Sequence, residues 1–206
     1  MTQKKFNKLF AHYQKYFEAI EEPTILHELV TTGELHIDIV HIKPSPKYPF
    51  QVLATIGASD YRMPDYNRSL SPYNEYVTFV PADWDLTDSK HSWIINWLVG
   101  VARYPQENKT SLSLCHTIDM SAAAESMLSD DFNMTAIQLF FPQAVDDTGI
   151  LRCQIGLFQK ATILHMMPIT RKELDTVKAK SVDILMDRFY NYEEGNLDFV
   201  TAAYRK

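Results

Sequence analysis

Val99-Gly-Val-Ala-Arg-Tyr-Pro-Gln-Glu-Asn-Lys-Thr-Ser-Leu-Ser-Leu-Cys-His-Thr-Ile118 changes its periodicity halfway along. Just upstream, Trp93, Ile94, Trp97, Leu98 and Val101 recur at the spacing that puts them on one side of a helix, and Asp88 or Ser89 can cap its start. Proline has no backbone N–H and disfavours helical geometry in the residue before it, so Pro105 predicts a helix stop at Tyr104. Ser111 to Thr117 then reads as a strand that closes on His116 and Thr117. A helix feeding directly into a strand makes this the pivot of the fold.

On the N-terminal side of the pivot, apolar and polar residues alternate from Leu35 to Ile42, from Phe50 to Ile56 and from Asn74 to Val80, which predicts three strands before the helix. Pro44, Pro46 and Pro49 mark the first turn between them. Further upstream, Phe6, Leu9, Phe10, Tyr13, Tyr16 and Phe17 fall at helical spacing and predict an opening helix that Pro23 ends. On the C-terminal side, Thr135 to Phe141 and Leu151 to Phe158 read as strands, and Ile163 to Met167 as a short strand or continuation. Thr170 with Glu173 is a capping box that opens a last helix. Strands in succession with helices before, between and after them predict an α+β fold, a mixed and mainly antiparallel sheet packed against helices. One domain over 1–206 is expected, with the opening helix in 1–24 and the core in 25–206.

Composition narrows the function classes. Of the 206 residues 46% are hydrophobic and 22% charged, which suits a folded domain with one sizeable core. The apolar runs near Ile94 to Ala102 and Ile163 to Ile169 are too short for a bilayer, so no membrane association is expected. Cys115 and Cys153, both in segments that read as buried strands, have no second pair to form a zinc site or disulfide framework; a reducing cytoplasm follows. The net charge of −6 gathers in Asp83, Asp85 and Asp88, in Asp130 and Asp131, in Asp146 and Asp147, and in Glu193 and Glu194. Phosphate backbones need the opposite charge concentrated on one face, so a basic protein partner is favoured over direct nucleic-acid binding.

Three constellations could carry chemistry. His36 and Asp38 share a strand face, and a metal-assisted hydrolase would draw further ligands from His116 or Glu75. Hydrogen bonding between the two is the simpler reading. Ser59, Asp60 and His116 offer a nucleophile, an acid and a base, but Gly57-Ala-Ser59-Asp60-Tyr61 lacks the second glycine of a nucleophile elbow; it reads instead as a turn that ends a strand. Cys115 beside His116 fails as a pair because strand neighbours face opposite sides. No catalytic residue, cofactor or metal site is therefore assigned. Trp84, Trp93, Tyr61, Tyr66, Tyr73 and Tyr76 lie in or beside Asp-rich loops and form a candidate binding patch.

The block from Ala102-Arg103-Tyr104-Pro105 to His116-Thr117, the block Thr55-Ile-Gly57-Ala-Ser59-Asp60-Tyr-Arg-Met63, the preceding His36-Ile-Asp38-Ile39 and the following Glu75, Pro81 and Trp84 together resemble the suppressor of fused family, over roughly residues 25 to 205. The resemblance implies the same α+β fold. Its eukaryotic members imply a binder of a transcription-factor peptide, with Tyr104 matching a site tyrosine; a regulatory peptide binder is thus one alternative. Where such a member places an acidic residue before the histidine, and bacterial members prefer glycine, this chain has Cys115. Single-domain bacterial members imply an immunity protein or antitoxin that is not an enzyme and masks a toxin domain. The expected partner is a basic toxin, and a monomer or weak homodimer is expected. The partner surface is placed on Asp60, Tyr61, Tyr104 and His116 with the acidic loop residues Asp83 and Asp85.

Overall fold

The computed structural model describes residues 1–206 except 27–34, 65–70, 126, 128–129 and 191–195. Helix α1 (Gln3–Tyr16) is followed by strands β1 (Thr24–Leu26), β2 (Asp38–Ile42), β3 (Phe50–Ile56) and β4 (Asn74–Pro81), then by helix α2 (Ser89–Glu107). After it come β5 (Thr117–Asp119), α3 (Ser121–Ala124), β6 (Met134–Phe140), β7 (Arg152–Gln154), β8 (Lys160–Thr170), α4 (Arg171–Ala179) and α5 (Asp183–Phe189). Among the described residues the strands form one sheet in the order β1-β2-β3-β4-β8-β6-β5, with β7 also on β8. Among the described strands only the β4–β8 pair is parallel. The mixed, mainly antiparallel α+β architecture is as expected.

Period-two alternation divides the core between the two faces of the sheet. Phe50, Val52, Ala54 and Ile56 of β3 pack with Leu9, Tyr13 and Phe17 of the opening helix, and with Leu174, Leu185 and Phe189 of α4 and α5. Leu53 and its neighbours on the other face meet Trp93, Ile94, Trp97, Leu98 and Val101 of α2. Helices cover both faces, which is why central strands such as β3 are buried at every position. The aromatic stripe of α1 is core, as its spacing indicates.

Several boundaries differ from expectation. The opening helix ends at Tyr16, well before Pro23, and the chain turns through Glu18 at φ 46°. Helix α2 does not stop at Tyr104: it runs on to Glu107 with Pro105 buried inside it. A proline in the last turn removes only one late hydrogen bond, and burial of its ring offsets that loss. Leu35 to Ile42 yields a strand only from Asp38. Ser111 to Cys115 is a turn and loop, and the strand there is Thr117–Asp119. Of Leu151 to Phe158 only Arg152–Gln154 is strand, while β8 is longer than expected. The capping box holds: Thr170 Oγ1 accepts from the Glu173 amide at 3.2 Å, and Glu173 Oε2 from the Thr170 amide at 2.7 Å.

One core residue makes stability depend on pH. His165 on β8 is fully buried, with Nδ1 against the Tyr190 hydroxyl, while Nε2 has no hydrogen-bond partner among the described residues. Burial pushes its pKa down to about 3 from 6.5. The unfolded chain therefore binds the proton first, so this contribution is fully present above pH 6.5 and is lost as pH falls toward 3. About 2 kcal/mol is lost between neutrality and pH 5. Urea unfolding at stepped pH checks this: His165→Leu should flatten the acid limb by about one proton relative to the parent.

Candidate functional site

Strand register brings several motif residues to one end of the sheet. β3 and β6 end where β2, β4, β5 and β8 begin, as the pairs Asp38↔Ile56, Ala54↔Val77, Asn74↔Thr162, Phe140↔His165 and Thr117↔Gln138 show. Helix α2 also finishes there, where Gln106 Oε1 accepts from the Leu35 amide and Arg103 Nε donates to the Leu35 carbonyl, both at 3.1 Å. Asp60, Tyr61, Tyr104 and His116 thus lie toward this end. Asp83 and Asp85 follow β4 and lie at the other, about 23 Å away along an eight-residue strand. The six residues expected to form one partner surface occupy two.

At the first end, Glu75 organises the glycine turn. It is fully buried; Oε1 accepts from the Gly57 amide at 3.1 Å, the Ser59 amide at 3.0 Å and the Ser59 hydroxyl at 2.6 Å, and Oε2 from Thr55 Oγ1 at 2.7 Å. Burial pushes the Glu75 carboxyl up, and these four donors pull part of the way back. Gly57 stands at φ +137°, where an added Cβ would meet the His36 carbonyl oxygen at 2.2 Å. Ser59 is wholly buried, which excludes it as a surface nucleophile. The segment from Gly57 to Tyr61 is a structural turn.

Asp60, among the other candidates there, is also committed to local bonds. Asp60 accepts from Lys5 Nζ at 2.6 Å; burial would raise its carboxyl, but Lys5 and the chain's amino group hold it below the ordinary range. Its charge is largely neutralised. Tyr61 and Tyr104 are half-buried and pack on the α2 side of the core, so Tyr104→Ala tests stability before it tests affinity. His116 is exposed, four strand spacings or about 19 Å across the sheet from the β3 end.

The metal-site grouping is not assembled. His36 Nε2 lies 3.0 Å from Asp38 Oδ1, but β2 and β5 are five strand spacings apart, so His116 is about 24 Å across the sheet. Glu75 spends its oxygens on the turn. Among the described residues no three His, Cys, Asp or Glu side chains cluster so as to hold a metal ion. His36 lies just before β2 and not on it, so the pair arises from local chain proximity and not from a shared strand face, and only register brings strands together.

Cys115 corrects a second expectation. It is not in a buried strand but exposed in the loop before β5, at φ +66°, with its amide bonded to the Leu139 carbonyl at 2.9 Å. The strand-alternation reason against a Cys115–His116 pair therefore lapses. Desolvation of the sulfur and the Asp183 carboxylate push the thiol up instead, which disfavours a thiolate. A left-handed backbone costs a side-chain-bearing residue about 1–2 kcal/mol, and glycine's looser unfolded chain returns part of that. Cys115→Gly should thus gain about 0.5–1 kcal/mol, read as a rise of about 2–3 °C in Tm. Cys153 is buried on β7, its thiol pushed up to about 11 by burial.

The second end carries a rigid acidic turn. Buried Gln51 donates through Nε2 to the Pro81 carbonyl at 2.9 Å and the Trp84 carbonyl at 2.8 Å, and its Oε1 meets His41 Nε2 at 2.7 Å. Asp85 Oδ1 accepts from the Thr87 amide and hydroxyl at 2.9 and 2.7 Å, which hold its carboxyl below the ordinary range. Asp88 caps α2 by accepting from the Lys90 amide at 2.9 Å. Trp84 stacks on His91 with centroids 4.7 Å apart and planes 12° from parallel. The indole is half-buried, and Asp83, Asp85 and Asp88, within four residues of it along the chain, are exposed. Of the expected aromatic patch, Trp93 and Tyr76 are core, Tyr61 and Tyr73 are half-buried, and Tyr66 lies outside the described residues, as do Glu193 and Glu194. Sequence alone does not reveal Gln51 as the clasp of this turn, since nothing local marks a strand glutamine as buried.

No described helix is long and apolar enough to cross a membrane. Comparison with known proteins places this geometry. The fold is similar to the crystal structure of a SUFU homolog from Neisseria gonorrhoeae FA 1090, at TM-score 0.68 and 13% identity, with all of both chains covered. It is similar to a chain of the Sufu–Fu complex, at TM-score 0.67 and 11% identity, over 97% of this chain and 90% of that one. Drosophila Suppressor of Fused matches at TM-score 0.67 and 14% identity over 98% of this chain, which spans 50% of that protein. A search of curated protein sequences returned no match. The sequence profile of the Suppressor of fused protein family (SUFU) matches residues 33–202, and its span takes in the glycine turn, the α2 end and the acidic turn; the chain belongs to that family.

Proposed function

We propose that this protein is a non-enzymatic binding module, an immunity protein that neutralises a basic toxin domain in the cytoplasm by stoichiometric complex formation. The carrying observation is the Asp83-Trp84-Asp85 turn: an aromatic anchor stacked on His91, held by Gln51 and edged by exposed carboxylates. Such a surface steers a cationic partner and then buries a ring against it. A relative solved as the Sufu–Fu complex supports protein binding as the family's mode of action. The carboxylates of the first end, Glu75 and Asp60, are spent on the fold, which moves the proposed interface to the second.

Recovery of the tagged protein from its host with a cationic toxin domain, followed by binding measurements on that pair, tests the reading. Asp83→Lys with Asp85→Lys should weaken binding about 30-fold, largely through a slower association rate that loses its salt dependence. A partner that is not basic, or an affinity unchanged by the double reversal, would sink it.

A further inference from the structure

The segment from Gly149 to Gly156 runs beside α1 in the reverse direction. An added Cβ at Gly149 would meet the Tyr16 hydroxyl, and the Ile150 carbonyl lies 2.9 Å from His12 Nε2. Further along, the Cys153 thiol donates to the Lys8 carbonyl at 3.7 Å, and Ile155 and Gly156 share a cleft with Thr2 and Lys5. Leu157 and Phe158, next in the chain, therefore lie beside the start of α1, and they are 85% and 92% exposed. The tip is built, not frayed. The Ile155 and Gly156 amides both donate to the Gln159 carbonyl at 3.0 Å, and Gln154 Nε2 to the Leu157 carbonyl at 3.2 Å.

Charge at this corner runs against the chain's net −6. Helix α1 holds Lys4, Lys5, Lys8 and Lys15 and no Asp or Glu. Lys5 is taken up by Asp60, the one carboxylate among the described residues that line the cleft, and Lys15 stands at the far end of the helix beside Tyr16. Lys4 and Lys8 are one turn apart, about 6 Å along the axis. Lys160 follows the tip; it and Lys4 are exposed, and Lys8 is half-buried. None of these three ammonium groups is bonded to another side chain among the described residues. Two adjacent apolar side chains amid such cations match an anionic bilayer. Its interior accepts a ring or an isobutyl group without a shaped pocket, whereas the anchors of a protein interface sit in fitted ones. Either signal alone holds a protein only marginally; apolar insertion and a basic patch together hold it stably. The short apolar runs noted in the sequence bear on spanning alone, so the expectation of no membrane association does not extend to this corner.

We propose that Leu157 and Phe158 insert into the surface of an anionic membrane, with Lys4, Lys8 and Lys160 meeting the lipid headgroups around them. This surface lies at the end of the sheet opposite the acidic turn and does not rest on the toxin reading. The probe is the full chain, sedimented with vesicles of equimolar phosphatidylglycerol and phosphatidylcholine or of phosphatidylcholine alone. Binding to the first is expected, and at least about tenfold less to the second. Leu157→Ser with Phe158→Ser should lower binding to the anionic vesicles at least about tenfold. Lys4→Gln, Lys8→Gln and Lys160→Gln together should lower it about 100-fold, each lysine being worth about fivefold at such a surface. Asp83→Asn with Asp85→Asn should leave it unchanged, since those carboxylates lie more than a Debye length away. An unaltered melting curve verifies that each variant folds. No binding to anionic vesicles, equal binding to uncharged ones, binding indifferent to loss of the two apolar side chains, or a benzophenone at position 158 that captures a host protein in place of lipid would each overturn the proposal.

Discussion

Gly57→Ala should cost about 4 kcal/mol of folding stability. At φ +137° and ψ −32° a side chain is sterically disfavoured, a strain worth about 1–3 kcal/mol. The new methyl would also sit 2.2 Å from the His36 carbonyl oxygen. That neighbour is backbone, held in the approach to β2, and cannot swing aside as a flexible side chain would. Relief requires the turn to move, and overpacking of this kind adds about 1–3 kcal/mol. The movement reaches Glu75, whose buried carboxylate depends on the Gly57 and Ser59 amides for two of its four hydrogen bonds. For a domain of this size the cost appears as a fall of about 8–16 °C in Tm, read by thermal unfolding. A loss below about 1 kcal/mol would show that the turn is not the rigid element described above.

Arg205→Ala should cost about 3–5 kcal/mol, because it strands a buried carboxylate. Arg205 donates to Glu173 through Nη2 at 3.0 Å and Nε at 3.2 Å, reaches the Pro168 carbonyl, and lies over the Phe189 ring with its guanidinium 4.8 Å from the centroid. Its own backbone is clasped by Asn133, which accepts from the Arg205 amide at 3.0 Å and donates to its carbonyl at 2.6 Å. Burial would raise the Glu173 carboxyl, but Arg205, the Thr170 amide and Arg188 outweigh it and hold it below the ordinary range. Without Arg205, the half-exposed Arg188 is the one cation left on Glu173 among the described residues, and the capping box that starts α4 weakens with it. Arg205→Lys should recover only part of the loss, since an ammonium cannot reproduce the two-pronged contact. Urea midpoints at constant slope would report both variants, and a parent-like midpoint for Arg205→Ala would refute the coupling.

The capping box at Thr170 and Glu173, the α2 apolar stripe and the start of α2 at Asp88 or Ser89 were legible because each depends on residues within one or two turns of helix. Strand boundaries at Leu151 to Phe158 were not. An apolar run there reads as strand, yet Leu157 and Phe158 form a turn because Gln154 and Gln159 supply its hydrogen bonds. Cys115 shows the same limit, since a positive φ is imposed by the bond from its amide to Leu139 on a neighbouring strand.

The candidate site was less legible still. Its residues were named, but their grouping into one surface depended on register and strand order. By itself the sequence determined the α+β class, the family motifs, the acidic balance and the helical and strand periodicities, all of which arise from local sterics and burial patterns. Only the tertiary structure decided that Asp60 is neutralised by Lys5, that His116 stands apart from His36, and that Asp83 and Asp85 lie at the other end of the sheet. The reason is physical: side-chain periodicity is a property of each segment, whereas which strand ends meet is set by non-local pairing across the sheet.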